Sequence, residues 1–264
     1  MVLSRLSVGV CAAFLSLASV ADAADVSKKP ASAPAPAATT STWTGDVTLY
    51  GWAMGLNGTV QTFSRVPPVQ ANVGFDQLLR NLDGGLMLAA SATNGQVVFL
   101  GDMILAKLSP KKNFAVGRFD GSLTLDVTNF IGLAAGGYRV YADPTWSLDL
   151  LVGARVFVVD TGVTLSLPGI AAQIADRNKT WVDGVLGFRA IYNVTDRLHL
   201  TAIAFGGGLS SQYEWDVFGS VGYDFTSYLS GFVGYRALGV NYKSDGFVYD
   251  VVQHGPLVGL SLRF

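Results

Sequence analysis

Cysteine is almost missing from this chain of 264 residues. The single copy, Cys11, lies in an N-terminal stretch that reads as a secretory signal. Arg5 supplies the basic start, residues 6–20 an apolar run, and Ala21-Asp22-Ala23 a small-x-small cleavage site. Cleavage after Ala23 leaves a mature chain without a thiol, which excludes disulfides, cysteine nucleophiles and thiolate metal sites. Histidine is nearly as scarce. His199 and His254 are the only two, and they sit too far apart in the expected fold to share a metal. Charge of either sign is sparse, at 14% of residues. Removing Arg5 and Asp22 with the signal takes the 18 basic and 19 acidic residues to 17 and 18, a net charge near −1. No basic excess points to nucleic acid. Long apolar runs are missing as well. Half of the residues are apolar, yet no mature stretch approaches the ~18 consecutive apolar residues of a membrane helix.

High apolar content without such a run fits strands that alternate between two environments. The chain's last residues show this. Val258, Leu260, Leu262 and Phe264 alternate with Gly259, Ser261 and Arg263, so one face is apolar and the other small or polar. The same period recurs upstream. Residues 148, 150, 152, 154, 156 and 158 are Leu, Leu, Val, Ala, Val and Val, opposite Asp149, Gly153, Arg155 and Phe157. Tyr213, Trp215, Val217, Val221, Tyr223 and Phe225 share a face with aromatics at both ends, as two interface girdles require. Their opposite face carries Glu214, Asp216, Ser220, Gly222 and Asp224. A soluble sandwich would bury these charges at a cost of several kcal/mol each unless paired. Lipid outside and a polar lumen inside removes the conflict, and closure removes the open edges.

The expected fold is therefore all-β: a transmembrane up-and-down antiparallel barrel of about ten strands, with eight and twelve as neighbouring counts. Residues 1–23 read as signal peptide, 24–42 as a disordered Ala/Pro-rich periplasmic linker, and 43–264 as the barrel. Strands are expected over 45–63, 84–93, 96–108, 117–141, 146–164, 180–194, 198–209, 212–225, 229–243 and 247–264. Asn94-Gly95, Asp143-Pro144, Thr195-Asp196-Arg197 and Thr226-Ser227 give tight turns at one end. At the other end, 64–83, 109–116 and 165–179 read as long loops, with short connections near 210 and 244–246. Residues 76–82 have the makings of one or two helical turns.

The segments Tyr50-Gly51-Trp52-Ala53-Met54-Gly55-Leu56-Asn57-Gly58-Thr59-Val60 and Asn81-Leu82-Asp83-Gly84-Gly85-Leu86-Met87 resemble a family of proteobacterial outer-membrane β-barrel proteins, small porin-like surface barrels mostly of undefined activity. Gly187-Phe188-Arg189, Gly234-Tyr235-Arg236 and Gly255-Pro256-Leu257-Val258-Gly259-Leu260 extend the resemblance over nearly the whole barrel. It implies the fold and the outer membrane as location. It brings no catalytic residues. It implies lipid and lipopolysaccharide as surroundings, and a terminal Phe264 read by the barrel-assembly machinery.

Depth counted from the turns puts Asp102, Arg155, Arg189 and Arg236 on inward faces near mid-barrel. Asp149 and Asp224 fall lower; Asp126, Asp183, Glu214 and Asp216 fall nearer the outer mouth. These charges read either as a constriction that filters small solutes or as an internal salt-bridge network that fills a narrow lumen. Tyr213, Trp215, Tyr223 and Phe225 read as interface aromatics, and so do Trp43, Trp52, Trp146 and Trp181. Lys111-Lys112 reads as a solvated loop pair. Gly206-Gly207-Gly208 opens no helix, so it is no phosphate loop. His254 shares a face with Asp250, a base-and-carboxylate pair of the sort a rim hydrolase needs. Strand parity, however, turns His254 outward unless Gly255-Pro256 forms a bulge. Three functions follow: a structural surface barrel with a charge-lined lumen, a passive channel for small hydrophilic solutes, and a rim hydrolase using His254. The first is the reading adopted, with no enzyme activity and no cofactor.

Overall fold

A computed structural model describes residues 42–62, 67–116, 119–167 and 170–264. The signal peptide read over 1–23 and, apart from Thr42, the linker read over 24–42 lie outside the described residues. The elements in chain order are β1 (Thr44–Trp52), β2 (Gly55–Gln61), β3 (Val69–Val73), α1 (Phe75–Arg80), β4 (Leu82–Thr93), β5 (Val97–Leu108), β6 (Lys111–Val116) and β7 (Phe119–Ala142). There follow β8 (Trp146–Leu167), β9 (Ile170–Asn193), β10 (Leu198–Gly207), β11 (Tyr213–Asp224), β12 (Leu229–Ser244) and β13 (Phe247–Arg263). Ten of these strands, β1, β4, β5 and β7 to β13, pair antiparallel in turn, and β1 closes the ring on β13. This is the expected up-and-down barrel.

The tight turns share one device. A short polar side chain at the turn's start accepts two backbone N–H groups that would otherwise lack partners. Asn94 Oδ1 takes those of Gln96 and Val97 at 3.0 and 2.7 Å. Asp143 Oδ1 takes those of Thr145 and Trp146 at 2.7 and 2.6 Å. Thr195 and Thr226 do the same through their hydroxyls. At the opposite end, Asp245 and Gly246 both have positive φ, 49° and 71°. An Asp-Gly pair in that conformation makes the two-residue hairpin turn that matches strand twist.

The opposite end also departs from expectation. Much of the chain expected as loop over 109–116 and 165–179 is strand: Lys111–Val116 forms β6, and among the described residues of the second stretch β8 runs to Leu167 and β9 starts at Ile170. β6 continues the line of β5 along β7, bent only where the Pro110 carbonyl accepts the Leu125 N–H. β8 and β9 run on in register to Leu167 and Ile170. Their outward faces explain why. The apolar side of β8 runs from Trp146 to Val158, twelve steps that at ~3.3 Å each and a tilt near 40° cover about 30 Å, the thickness of a hydrocarbon core. Past Val158 most exposed outward positions are polar, with Asp160 on β8 and Asp176, Asn178 and Thr180 on β9, although Ile174 is an exposed apolar exception. The sequence lost its apolar alternation there because the wall had left the membrane, and the ladder of backbone hydrogen bonds continued without it. This wall rises about 20 Å beyond the apolar belt.

The first strand is also interrupted. β1 and β2 lie end to end along β13, broken at Ala53-Met54. β3 folds back onto β2, and the expected helical turn in the loop after it is α1. Because β2 carries β3, only Leu88–Thr93 of β4 pairs with β1.

Inside, the lumen is filled in two apolar regions. The larger joins Tyr50, Trp52, Ile104, Ile131, Phe157 and Trp181 to buried residues of β12 and β13. The smaller gathers Val98, Leu133, Ala135, Leu151, Val185 and Phe205.

Candidate functional site

The charges of the lumen assemble into separate groups stacked in depth. At mid-lumen, Asp216 on β11 accepts from both Arg155 and Arg236. Arg155 Nη2 donates at 2.7 Å, Arg236 Nε at 3.0 Å and Arg236 Nη2 at 2.8 Å. Arg236 Nη2 also reaches Asp102 at 2.7 Å, and the Tyr50 hydroxyl donates to the same carboxylate at 2.6 Å. Glu214 is 3.5 Å from Arg155 Nη1. Among the described residues it makes no hydrogen bond from either carboxylate oxygen, and Nε and Nη1 of Arg155 make none either. Each guanidinium lies over one ring: Arg236 is 5.3 Å from the Trp52 ring centre and Arg155 5.9 Å from that of Phe205. Arg155 has no exposed surface. The side chains of Arg155 and Glu214 are both fully buried at this depth.

Above this cluster comes a stack of parallel rings. Phe157 lies 4.9 Å from Trp181 and Trp181 4.2 Å from Tyr242, within 10° of parallel. Trp52 and Trp181 are 4% and 3% exposed. They are lumen plugs, a correction to their reading as interface aromatics. Period 2 turns both inward, Trp52 with Thr48 and Tyr50 and Trp181 with Asp183 and Val185, although each lies near a strand end. Above the rings, Arg177 donates to the Thr62 and Asp245 carbonyls. Lys179 donates to Asp245 at 3.1 Å, which holds the Asp245 carboxyl below its usual range.

Below the mid-lumen cluster, three strands bring Arg139, Asp149 and Arg189 into one register row. Arg139 Nε donates to Asp149 Oδ1 at 2.7 Å and Arg189 Nε to Oδ2 at 2.9 Å. Lower still, Asp224 accepts from Arg263 at 2.9 Å and faces His199 at 3.8 Å. A cavity of about 940 Å³ occupies this half of the barrel. Its lining runs from the tight turns at Asp143 to Trp146 and Val194 to Asp196 up to Tyr50, Asp102, Asp216 and Arg236. On the β1 and β4 side, Asp46 is bonded by Ser91 and Thr48.

Of the residues singled out in the sequence, Asp102, Arg155, Arg236 and Asp216 meet in the mid-lumen cluster. Arg189 and Asp149 meet one level down, and Asp224 stands at the bottom. Asp183 is buried beside Glu214, where its Oδ1 accepts the backbone N–H groups of Leu209, Ser210 and Ser211 at 2.8–2.9 Å. It shapes a loop and makes no ion pair among the described residues. Asp126 does not join the lumen. It lies on the face of β7 opposite Ile131 and Leu133, and the Ser109 hydroxyl is 2.8 Å from it. Its depth was counted along a strand whose alternation fades above the belt, so the parity was lost. Tyr50, Arg139 and Arg263 were not among the residues chosen. Tyr50 and Arg263 had a signal, the alternation with Thr48 and Trp52 and with Ser261. Arg139 had none, because a bulge between Arg139 and Tyr141 shifts the register.

The outward aromatics stand where the pattern put them. Tyr213, Tyr223 and Phe225 are exposed. Trp215 is half-buried because its ring lies over Gly239, whose missing Cβ leaves it room. Phe264 is 80% exposed on the outer face. His254 is outward as well. No bulge interrupts β13 at Gly255-Pro256, and the ring bonds the Tyr235 hydroxyl at 2.7 Å and Asn57 at 2.9 Å. Asp250 accepts from Asn241 at 3.1 Å. The base-and-carboxylate pair required of a rim hydrolase is not assembled at His254.

A closed antiparallel barrel, apolar outside over a bilayer's thickness and charged within, matches solved structures along most of its length. It aligns with the outer membrane protease OmpT from Escherichia coli at a TM-score of 0.53 and 10% identity, covering 85% of this chain and 98% of that one. The fold is that of an outer-membrane β-barrel. The translocator domain of the autotransporter NalP from Neisseria meningitidis matches at a TM-score of 0.45 and 14% identity, over 84% of this chain and 89% of that one. Ail, the attachment invasion locus protein of Yersinia pestis, matches at 0.33 and 12%, over 84% and 98%. No family model matches the chain, and no curated protein matches it in sequence. In an outer-membrane barrel the short turns face the periplasm. The 940 Å³ cavity is then a periplasmic vestibule, and the raised wall of β6 to β9 stands at the cell surface.

Proposed function

We propose that this outer-membrane barrel does not conduct, and that it anchors and displays the β6 to β9 wall at the cell surface. The observation that supports this is the filled lumen. Arg155, Phe157 and Leu238 have no exposed surface and Ile104 and Gln253 about 1%. Guanidinium–carboxylate forks at this depth are fixed in geometry and neutralise one another, so they rigidify the wall. Barrels of about eight strands are narrow enough for side chains to fill, and the somewhat wider lumen of ten strands is taken up here by rings and ion pairs. A passive channel needs a continuous water path, and the ion-pair cluster and the ring stack interrupt one in succession. The raised wall supports the display half of the reading. Strands that continue about 20 Å past the apolar belt cost the order of a whole hairpin, and they serve nothing within the membrane.

The test is planar-bilayer recording of the refolded protein, with folding checked by its heat-modifiable gel shift. The expected result is silence for the native chain. Discrete steps that change on Arg155→Ala or Arg236→Ala would replace this reading with the channel. For display, an epitope inserted between Leu167 and Ile170 should be labelled on intact cells.

A further inference from the structure

The row of Arg139, Asp149 and Arg189 is unbalanced. Two guanidiniums share one carboxylate, so the row by itself carries one positive charge in excess. Asp149 is fully buried, and both its oxygens are taken by these two arginines. Of the other charges that line the vestibule, Asp196 lies in the turn between β9 and β10, and the rest are held by partners of their own. Asp102 and Asp216 hold Arg236, and Asp224 holds Arg263. Asp46 is bonded by hydroxyls, and Asp143 by Tyr141 and its own turn.

The same two arginines have donors to spare. Arg139 uses Nε and Nη2, and Arg189 uses Nε and Nη2, all on Asp149. Nη1 of each makes no hydrogen bond among the described residues. Both side chains line the cavity. The Arg189 side chain is 9% exposed and that of Arg139 17%, so these donors face the cavity from a largely desolvated position. Water would satisfy the donors but not the charge. An oxyanion satisfies both, and the planar fork of arginine suits its geometry. The cavity is far larger than an inorganic ion. Ile191, Ile203 and Leu133 also line it and offer an apolar flank to an organic group.

We propose that the vestibule binds a small organic oxyanion, a carboxylate or a phosphate ester, whose charged end sits on Arg139 and Arg189 and which enters from the periplasm. The site needs no pore, so it stands whether the barrel conducts or not.

The test uses the refolded barrel in uncharged micelles, titrated with inorganic phosphate and with butyrate as probes of the charged end. Calorimetry and phosphate NMR read the binding, with chloride at equal ionic strength as control. Saturable binding of both, in competition, is expected. Arg139→Gln and Arg189→Gln should each weaken it about tenfold or more. Arg263→Gln, whose arginine already has Asp224, should leave it unchanged. If either glutamine variant fails the gel-shift test of folding, Arg139→Lys and Arg189→Lys keep the charge without the fork and should weaken binding severalfold. Absence of saturable binding, or affinity indifferent to Arg139 and Arg189 in every folded variant, overturns the proposal.

Discussion

The two halves of the lumen solve the same problem in opposite ways. The outer half is filled by side chains. Its rings stack, and Arg155, Arg236 and Asp216 are buried against one another and against aromatic faces. The periplasmic half surrounds a cavity, and its charges sit around it on hydroxyls, turn amides and partly exposed partners. Both halves are built from the same alternation on the same strands. What differs is side-chain volume. Phe157, Trp181, Tyr242 and Phe247 stand at the inward positions above Arg155, while Ser91, Thr201, Ser220, Ser230 and Ser261 stand at those below. A charge therefore has a different worth according to its depth, because the cost of leaving it unpaired rises as water is removed.

The largest effect should come from cutting the same kind of residue at both depths. Arg236→Ala strips the mid-lumen cluster of the group that bridges Asp102, Asp216 and Tyr50. Two buried carboxylates lose compensation, and a loss of about 3–5 kcal/mol is expected. Arg263→Ala removes a guanidinium 40% exposed from a carboxylate 20% exposed, and should cost ~0–1 kcal/mol. Denaturant unfolding in micelles, read by the gel shift, measures both. Equal costs at the two depths would dissolve the distinction between a filled and an open half.

A second substitution sharpens the account of the filled half. The mid-lumen cluster sets Asp102, Asp216 and Glu214 against Arg155 and Arg236, so it holds one carboxylate more than it can balance. Glu214 is the group without a hydrogen bond. Glu214→Gln keeps its volume and removes the surplus charge, so stability should change by no more than about 1 kcal/mol, in either direction. A loss as large as that of Arg236→Ala would mean that Glu214 is an essential partner of Arg155.

Most of the barrel was legible because lipid imposes a strict rule. In the belt the outward residues are almost all apolar, so period 2 fixed the strands and their faces from Trp146 to Val158 and from Tyr213 to Phe225. The short turns were legible because their amides need Asn, Asp or Thr at the first position. The rule fails above the belt, where both faces meet water. Strand there looks like loop, which is why 109–116 and 165–179 were misread and Asp126 was assigned the wrong face. Partners across the lumen were illegible for another reason. Alternation says which residues point inward, but Arg155 and Asp216 are 61 residues apart and meet only through the barrel's closure and tilt. Bulges hide more still, as at Arg139.

The smallest effect concerns the charges outside both halves. Asp245, in the outer turn between β12 and β13, accepts hydrogen bonds from Lys179 and Ser244, and the Lys179 bond is the main cause of its lowered pKa. A carboxyl whose folded pKa lies below its unfolded value stabilises the fold above the unfolded pKa and loses that effect as pH falls through the folded one. Asp245→Asn should therefore lower the unfolding temperature slightly and by a constant amount from about pH 8 to about pH 5, with the gap closing only below the ordinary carboxylate pKa of about 4. The turn is fully accessible to salt, so added sodium chloride should shrink the gap as well. A gap that widens on acidification would reverse the sign of the interaction. Absence of any gap would mean that Asp245 acts only through its left-handed backbone at the hairpin turn, for which Asn is an equal substitute, and that its charge contributes nothing.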